Sequence, residues 1–203
     1  LVVVPTITLA QDQDHKLREN FLNQLGYEDW DEDDYYLYHS GLDDSARQQI
    51  RKRLRDGQIP VLFTSVKAVT TSLQKAIIKL AERGRLQQLV IDEAHLMLDW
   101  SGADFMGDYK ALPGLRNHLL NKSKNDFRTV LLSGTLTQEH VDALSDMFAY
   151  QGARPTVINE PLLRPEPRYW QHQAAHKDEQ LDCLYKALQA LPRPLIIYTT
   201  APK

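Results

Sequence analysis

The sequence predicts an α/β domain in which a parallel sheet is flanked by helices. Three observations carry this. Short apolar runs recur at residues 1–4, 61–64, 89–91 and 129–132. Each is separated from the next by a stretch with helical periodicity or helix-capping residues, too long for a hairpin turn. The runs are also continuous rather than alternating, as in strands covered on both faces. In such sheets, ligands bind just past the carboxyl ends of the strands, so the residues that follow each run are where chemistry is expected.

Taken in order, Leu1-Val2-Val3-Val4 leads through Pro5-Thr6 into a polar helix over 8–25. A Tyr-rich run occupies 35–39. Residues 44–55 read as a helix with Asp43 or Asp44 as its N-cap and Gly57 as its terminator. The strand at 61–64 precedes a helix over 67–82, and the strand at 89–91 precedes a polar segment. After the strand at 129–132, Thr137 caps a helix over 138–148. Pro155, Pro161, Pro165 and Pro167 then fall in a stretch with little periodicity, which reads as an extended connector. A helix over 178–191 and a strand over 195–198 open something new. The expected organisation is one domain at 1–150, a connector at 151–175 and the beginning of a second domain at 176–203.

Hydrophobic residues make up 42% and charged residues 25% of the chain, as in ordinary globular proteins. No apolar run approaches the roughly 20 residues of a membrane-spanning helix, so no membrane association is expected. The single cysteine, Cys183, cannot staple a fold, which points to an intracellular compartment. The formal net charge of −3 gives no general attraction to nucleic acid, although a local basic track would suffice. Leu1 is not a start methionine, no basic targeting segment precedes the first strand, and the chain stops just after a strand-like run. Both ends look cut, as in an excerpt of a larger protein.

Three charged features read as surface. The run 28–34, six acids in seven residues around Trp30, is a solvated loop. Arg47, Arg51, Lys52, Arg53 and Arg55, spaced one to four apart, spread around their helix as a solvated face. His172 and His176 could chelate on a helix, but no further ligand stands at a matching interval.

The chemistry concentrates after the strands. Leu89-Val90-Ile91 ends in Asp92-Glu93-Ala94-His95. Hydrolysing a nucleotide needs a carboxylate to hold Mg²⁺ against the phosphates and a second group to activate water. Asp92 suits the metal, Glu93 the water, and His95 is placed to sense the site. An isolated Asp-Glu pair is more often a turn with a helix cap; the strand before it and the Ala-His after it favour the hydrolytic reading. Ser133-Gly134-Thr135 follows the next strand about forty residues later, with hydroxyls able to meet a histidine or carboxylate. Pro5-Thr6 and Thr64-Ser65 follow the other two strands, where hydroxyls and helix N-termini suit phosphate oxygens.

The series Val4-Pro5-Thr6, Phe63-Thr64-Ser65, Asp92-Glu93-Ala94-His95 and Ser133-Gly134-Thr135 is similar, in order and spacing, to motifs Ia, Ib, II and III of superfamily 2 helicases. Asp99-Trp100-Ser101-Gly102-Ala103-Asp104-Phe105, with Asp108-Tyr109, resembles the aromatic-rich loop of RecQ helicases. Leu163-Arg164-Pro165-Glu166-Pro167-Arg168-Tyr169 resembles that family's interdomain segment, and Ile196-Ile197-Tyr198 its strand entering motif IV. The chain thus resembles a RecQ-like, DEAH-box DNA helicase. It looks like a divergent member: Met106 stands where arginine is usual, and Val66-Lys67 replaces Pro-Glu.

The resemblance implies a RecA-like fold, incomplete at its N-terminus, plus the start of a second RecA-like domain. It implies ATP and Mg²⁺, with Asp92 on the metal, Glu93 as catalytic base, and His95 coupling the site to Ser133 and Thr135. Pro5, Thr6, Gln13, Thr64, Ser65, Trp100 and Phe105 would face nucleic acid. The partner would be DNA, as a single strand or duplex junction, traversed 3′ to 5′. The location would be nuclear in a eukaryote, and cytoplasmic or nucleoid-associated in a bacterium. No Gly-x-x-x-x-Gly-Lys-Ser/Thr loop occurs in the 203 residues, so the remainder of the same polypeptide is expected to complete the ATP site and the chain alone to be inactive. An RNA helicase of the same superfamily and a non-hydrolysing nucleic-acid scaffold are the competing readings.

Overall fold

The computed structural model describes residues 1–22, 36–98, 108–158, 168 and 170–197. The chain divides into two compact units, Leu1–Val157 and Ile158–Lys203.

The first unit is built on a sheet of five strands: β1 (Val2–Val4), β2 (Leu37–Tyr38), β3 (Phe63–Ser65), β4 (Gln88–Ile91) and β5 (Arg128–Leu131). Their order is β2-β3-β1-β4-β5, and all pairings are parallel. The helices are α1 (Ile7–Lys16), α2 (Asp44–Arg55), α3 (Val66–Thr70), α4 (Gln74–Glu82), α5 (Leu112–Lys122) and α6 (Gln138–Met147). The expected α/β class and the central strands are therefore formed.

Strand pleating divides β1 between two cores, because successive side chains point to opposite faces. Val3 joins the main cluster, with Ile50 and Leu54 of α2, Ile77 and Leu80 of α4, and Leu112 and Leu119 of α5. Val4 joins a smaller cluster with Ala10 of α1 and Phe63, and Val2 packs against it. Each fully buried Leu or Ile contributes roughly 1.5–3 kcal/mol relative to exposure.

Local sequence explains the helix ends. Asp43, rather than Asp44, caps α2 by accepting from Ala46 N–H at 2.8 Å. Gly57 follows with φ +68°, a conformation that glycine adopts without strain. Thr137 caps α6 in a reciprocal pair with His140.

Several expectations change. The helix expected at 8–25 starts at Ile7 and gives way to π-helical turns over Leu17–Leu22. The single helix expected at 67–82 is two, α3 and α4. The break follows from Thr70 and Thr71, whose hydroxyls donate to the Val66 and Lys67 carbonyls and compete with the helical ladder. No element was expected at α5, whose first turn holds Pro113. Proline is harmless there because the first helical turn needs no N–H partners, and Leu112, Leu115 and Leu119 form its buried stripe.

In the second unit, α7 (Lys177–Ala190) is capped by His176, whose Nδ1 accepts from Glu179 N–H at 3.2 Å. This occupies one of the two histidines that spacing alone suggested for chelation. The strand expected at 195–198 is not formed over its described residues 195–197, which have no ladder partner among the described residues. A strand exists only through its pairing, so an apolar run alone does not make one. No described helix is long and apolar enough to cross a membrane.

Candidate active site

Parallel register brings residues distant in sequence to one edge. Val4 pairs with Ser65, Val3 with Ile91, and Ile91 with Leu131. One residue beyond Ile91, Asp92 therefore stands level with Ser65, and Ser133 lies just past the end of β5. Asp92 N–H is fixed by the Val3 carbonyl at 2.9 Å.

The turn after β4 is unusual. Glu93 has φ 49° and ψ 46°, the left-handed region, which costs a non-glycine residue about 1–2 kcal/mol. Neighbouring bonds hold it there. Its N–H donates to Asp92 Oδ1 at 2.9 Å, and its carbonyl accepts from Leu96 N–H at 3.0 Å. Ala94 N–H reaches across to the Leu132 carbonyl at 2.9 Å, joining the β4 turn to the end of β5. Two half-buried carboxylates are thus aimed past the sheet edge by a strained but over-determined turn.

His95 connects this turn to the next motif. Its Nδ1 lies 2.9 Å from Ser133 Oγ and 3.2 Å from Glu93 Oε2. A carboxylate can only accept, so a proton on Nδ1 shared between Glu93 and Ser133 satisfies both contacts. Ser133 Oγ also accepts from Thr135 N–H at 3.3 Å. These contacts form one hydrogen-bonded chain from Glu93 to the segment after β5.

Tyr109 lies beneath the turn, and residue reasoning gave it no role. It is 1% exposed, and its hydroxyl points to the Asp92 carbonyl at 3.5 Å. Burial, and then the charges of Asp92 and Glu93, push its phenol above the usual range, so it stays a neutral donor. Its signal in the sequence was its inclusion, with Asp108, in the aromatic-rich segment.

The residues expected to face nucleic acid divide. Thr6 and Ser65 cap α1 and α3, accepting from Leu9 N–H at 3.2 Å and Ala68 N–H at 3.3 Å. Their hydroxyl protons remain available to a phosphate oxygen at the sheet edge. Pro5 is half-buried beside Thr6. Gln13 is half-buried and two turns further along α1, about 10 Å from Thr6 along the axis. Thr64 is placed differently from these: it is 0% exposed, and its hydroxyl donates to the Tyr38 carbonyl at 3.0 Å. Its side chain fastens β3 to β2. Thr64→Val should lower stability by about 0.5–1.5 kcal/mol in urea unfolding and leave nucleic-acid affinity intact; lost affinity at unchanged stability would return Thr64 to the binding surface. Trp100, Phe105 and the acidic run 28–34 lie outside the described residues.

Among the described residues no group of three or more His, Cys, Asp or Glu side chains forms a metal cage. A magnesium ion is commonly held by one or two carboxylates together with water and substrate phosphates. Asp92 fits such a role, since Oδ1 is engaged by Glu93 N–H and the rest of the carboxylate is left as a hard oxygen donor.

The profile of the DEAD/DEAH box helicase family matches residues 1–144. The chain is 34% identical over 155 residues to the ATP-dependent DNA helicase Q5 of Mus musculus, covering 73% of this chain and 13% of that protein. It is 29% identical over 158 residues to the RecQ-like DNA helicase blm-1 of Caenorhabditis elegans, covering 76% of this chain and 14% of that protein. Over 115 residues it is 30% identical to the ATP-dependent helicase SGS1 of Saccharomyces cerevisiae, covering 55% of this chain and 7% of that protein. The chain thus spans a small part of the length of each relative.

Proposed function

The chain belongs to the DEAD/DEAH box helicase family, and we propose that it is the part of an ATP-dependent DNA helicase or translocase that carries the metal-side and DNA-side residues of the first motor domain. The observation that carries this is the Asp92-to-His95 turn at the carboxyl edge, tied through His95 to Ser133 on the neighbouring strand. The relatives named as DNA helicases support DNA over RNA as the partner.

Asp92 would hold magnesium on ATP; when bound, the ion supplies neutralising charge to the phosphates. Glu93 accepts the proton of the attacking water. His95 and Ser133, with Thr135 behind them, pass the position of Glu93 to the segment leaving β5. Thr6 and Ser65 offer hydroxyls to the backbone of one DNA strand, and Trp100 and Phe105, assigned by resemblance, offer faces to its bases. The phosphate-gripping loop would come from polypeptide beyond these residues. We assign the first motor domain to 1–150, the connector to 151–175 and the start of the second motor domain to 176–203. A DNA substrate would place the protein in a eukaryotic nucleus, or in the bacterial cytoplasm or nucleoid.

The test is ATP hydrolysis by a polypeptide carrying this chain together with a phosphate-binding loop, with and without nucleic acid. Single-stranded DNA should stimulate turnover at least tenfold, and RNA of the same sequence should not. Equal stimulation by RNA would transfer the assignment to an RNA motor; no stimulation by either would leave a scaffold.

A further inference from the structure

Helices α2 and α4 lie side by side, burying Ile50, Leu54, Ile77 and Leu80 against the sheet. Their outer faces meet in an open groove, to which α2 contributes Arg51, Lys52 and Arg55, and α4 with its C-cap contributes Lys75, Lys79 and Arg83. The basic residues of α2 are therefore not all dispersed around the helix, as their spacing alone suggested. Three of them face a second basic stripe that falls every four residues along α4, on one helical face.

The acids among the described residues do not neutralise this surface. Asp56 accepts from Arg83 at 2.8 Å and lies 3.6 Å from Arg55, while Glu82 takes Lys79 at 2.7 Å. The Arg83 hydrogen bond, above all, holds the Asp56 carboxyl below its usual range, so that acid stays ionised and committed. Arg51 donates to the neutral Tyr38 hydroxyl at 3.0 Å. Lys52 and Lys75 are exposed and meet no carboxylate among the described residues. Among the described residues, six cations thus stand against two acids, Asp56 and Glu82, on one flank of a chain with formal net charge −3.

The lining selects among anions. The cations are exposed, apart from the half-buried Arg51, and no enclosed pocket of donors would hold a small anion. Among the described residues no aromatic side chain lines the groove to offer bases a stacking face. From Lys75 to Arg83 the row runs about 12 Å, at about 1.5 Å per residue, the length of duplex axis over which one strand carries three to four phosphates at about 3.4 Å of axis each. We infer that the α2–α4 groove docks the sugar–phosphate backbone of duplex DNA, by charge and without reading sequence. The identity of the polyanion rests on the proposed motor function; the groove rests on its own geometry.

The test is binding of the full 203-residue chain to a labelled 20-base-pair duplex and to a 20-nucleotide single strand, by anisotropy across a salt series. K52E/K75E should weaken duplex binding at least tenfold and make the log–log salt slope shallower by about two, at about 0.9 per phosphate contact. Its single-strand affinity and thermal midpoint should stay near those of the parent. K52Q/K75Q should shift the slope the same way with a smaller loss. K177E/K186E, the same charge change on α7, should bind within about threefold of the parent. The inference is overturned if the parent fails to bind duplex, if K52E/K75E leaves duplex binding unchanged, if it weakens both nucleic acids equally, or if K177E/K186E is equally damaging. Intact, groove-dependent duplex binding in a protein whose ATP hydrolysis ignores DNA would refute the motor reading and leave the groove standing.

Discussion

Glu93→Gln should stop ATP turnover while leaving ATP bound, in a polypeptide that joins this chain to a phosphate-binding loop. The substitution keeps size and hydrogen-bonding reach but removes the proton acceptor. Positioned general bases contribute about 10²–10⁴-fold, or about 3–5 kcal/mol in barrier. The left-handed turn that aims Glu93 does not depend on its carboxylate, since Asp92 Oδ1 takes its N–H and Leu96 N–H takes its carbonyl. Geometry should therefore survive and chemistry should not. Single-turnover hydrolysis and equilibrium binding of a fluorescent ATP analogue separate the two; turnover within threefold of the parent would remove Glu93 from the role of base.

The second large effect concerns the residue that anchors this turn to the sheet. Ile91 is fully buried, paired with Val3 on one side and Leu131 on the other, immediately before Asp92. Ile91→Ala removes three carbons from the main core and should cost about 2–5 kcal/mol. For a protein of this size, a loss of about 3 kcal/mol lowers the thermal midpoint by about 6–12 °C. Val90→Ala, on the opposite and half-buried face, should cost clearly less. Equal losses at both positions, read by calorimetry, would mean that the two faces of β4 are not packed as described.

Much of this site was legible beforehand because its signals are short-range. A continuous apolar run followed by Asp92-Glu93-Ala94-His95 marks a strand and the chemistry past its end, and Asp43, Gly57 and Thr137 mark helix ends through local hydrogen bonding and backbone sterics. The burial of Thr64 was not legible, for a related reason. A continuous apolar run such as Val61-Leu62-Phe63 has no alternation, so it does not tell which way the next side chain turns. The α3–α4 break escaped notice because the threonine hydroxyls that cause it can equally point to solvent.

By itself, the order of residues determined the α/β class, the position of the acidic turn and the family, since each depends on patterns within a few residues or on the succession of such patterns. Tertiary structure alone decided three things. It placed Ser133 against His95, thirty-eight residues away. It set Tyr109 beneath Asp92. It turned two basic stripes, unremarkable on separate helices, into one groove. The physical reason is common to all three: parallel register and helix packing fix which distant side chains meet, and neither is written into any single stretch of chain. The sharpest change falls on the Asp92-to-His95 turn, where the same residues acquire their strain, their partner and their direction only from the strand beside them.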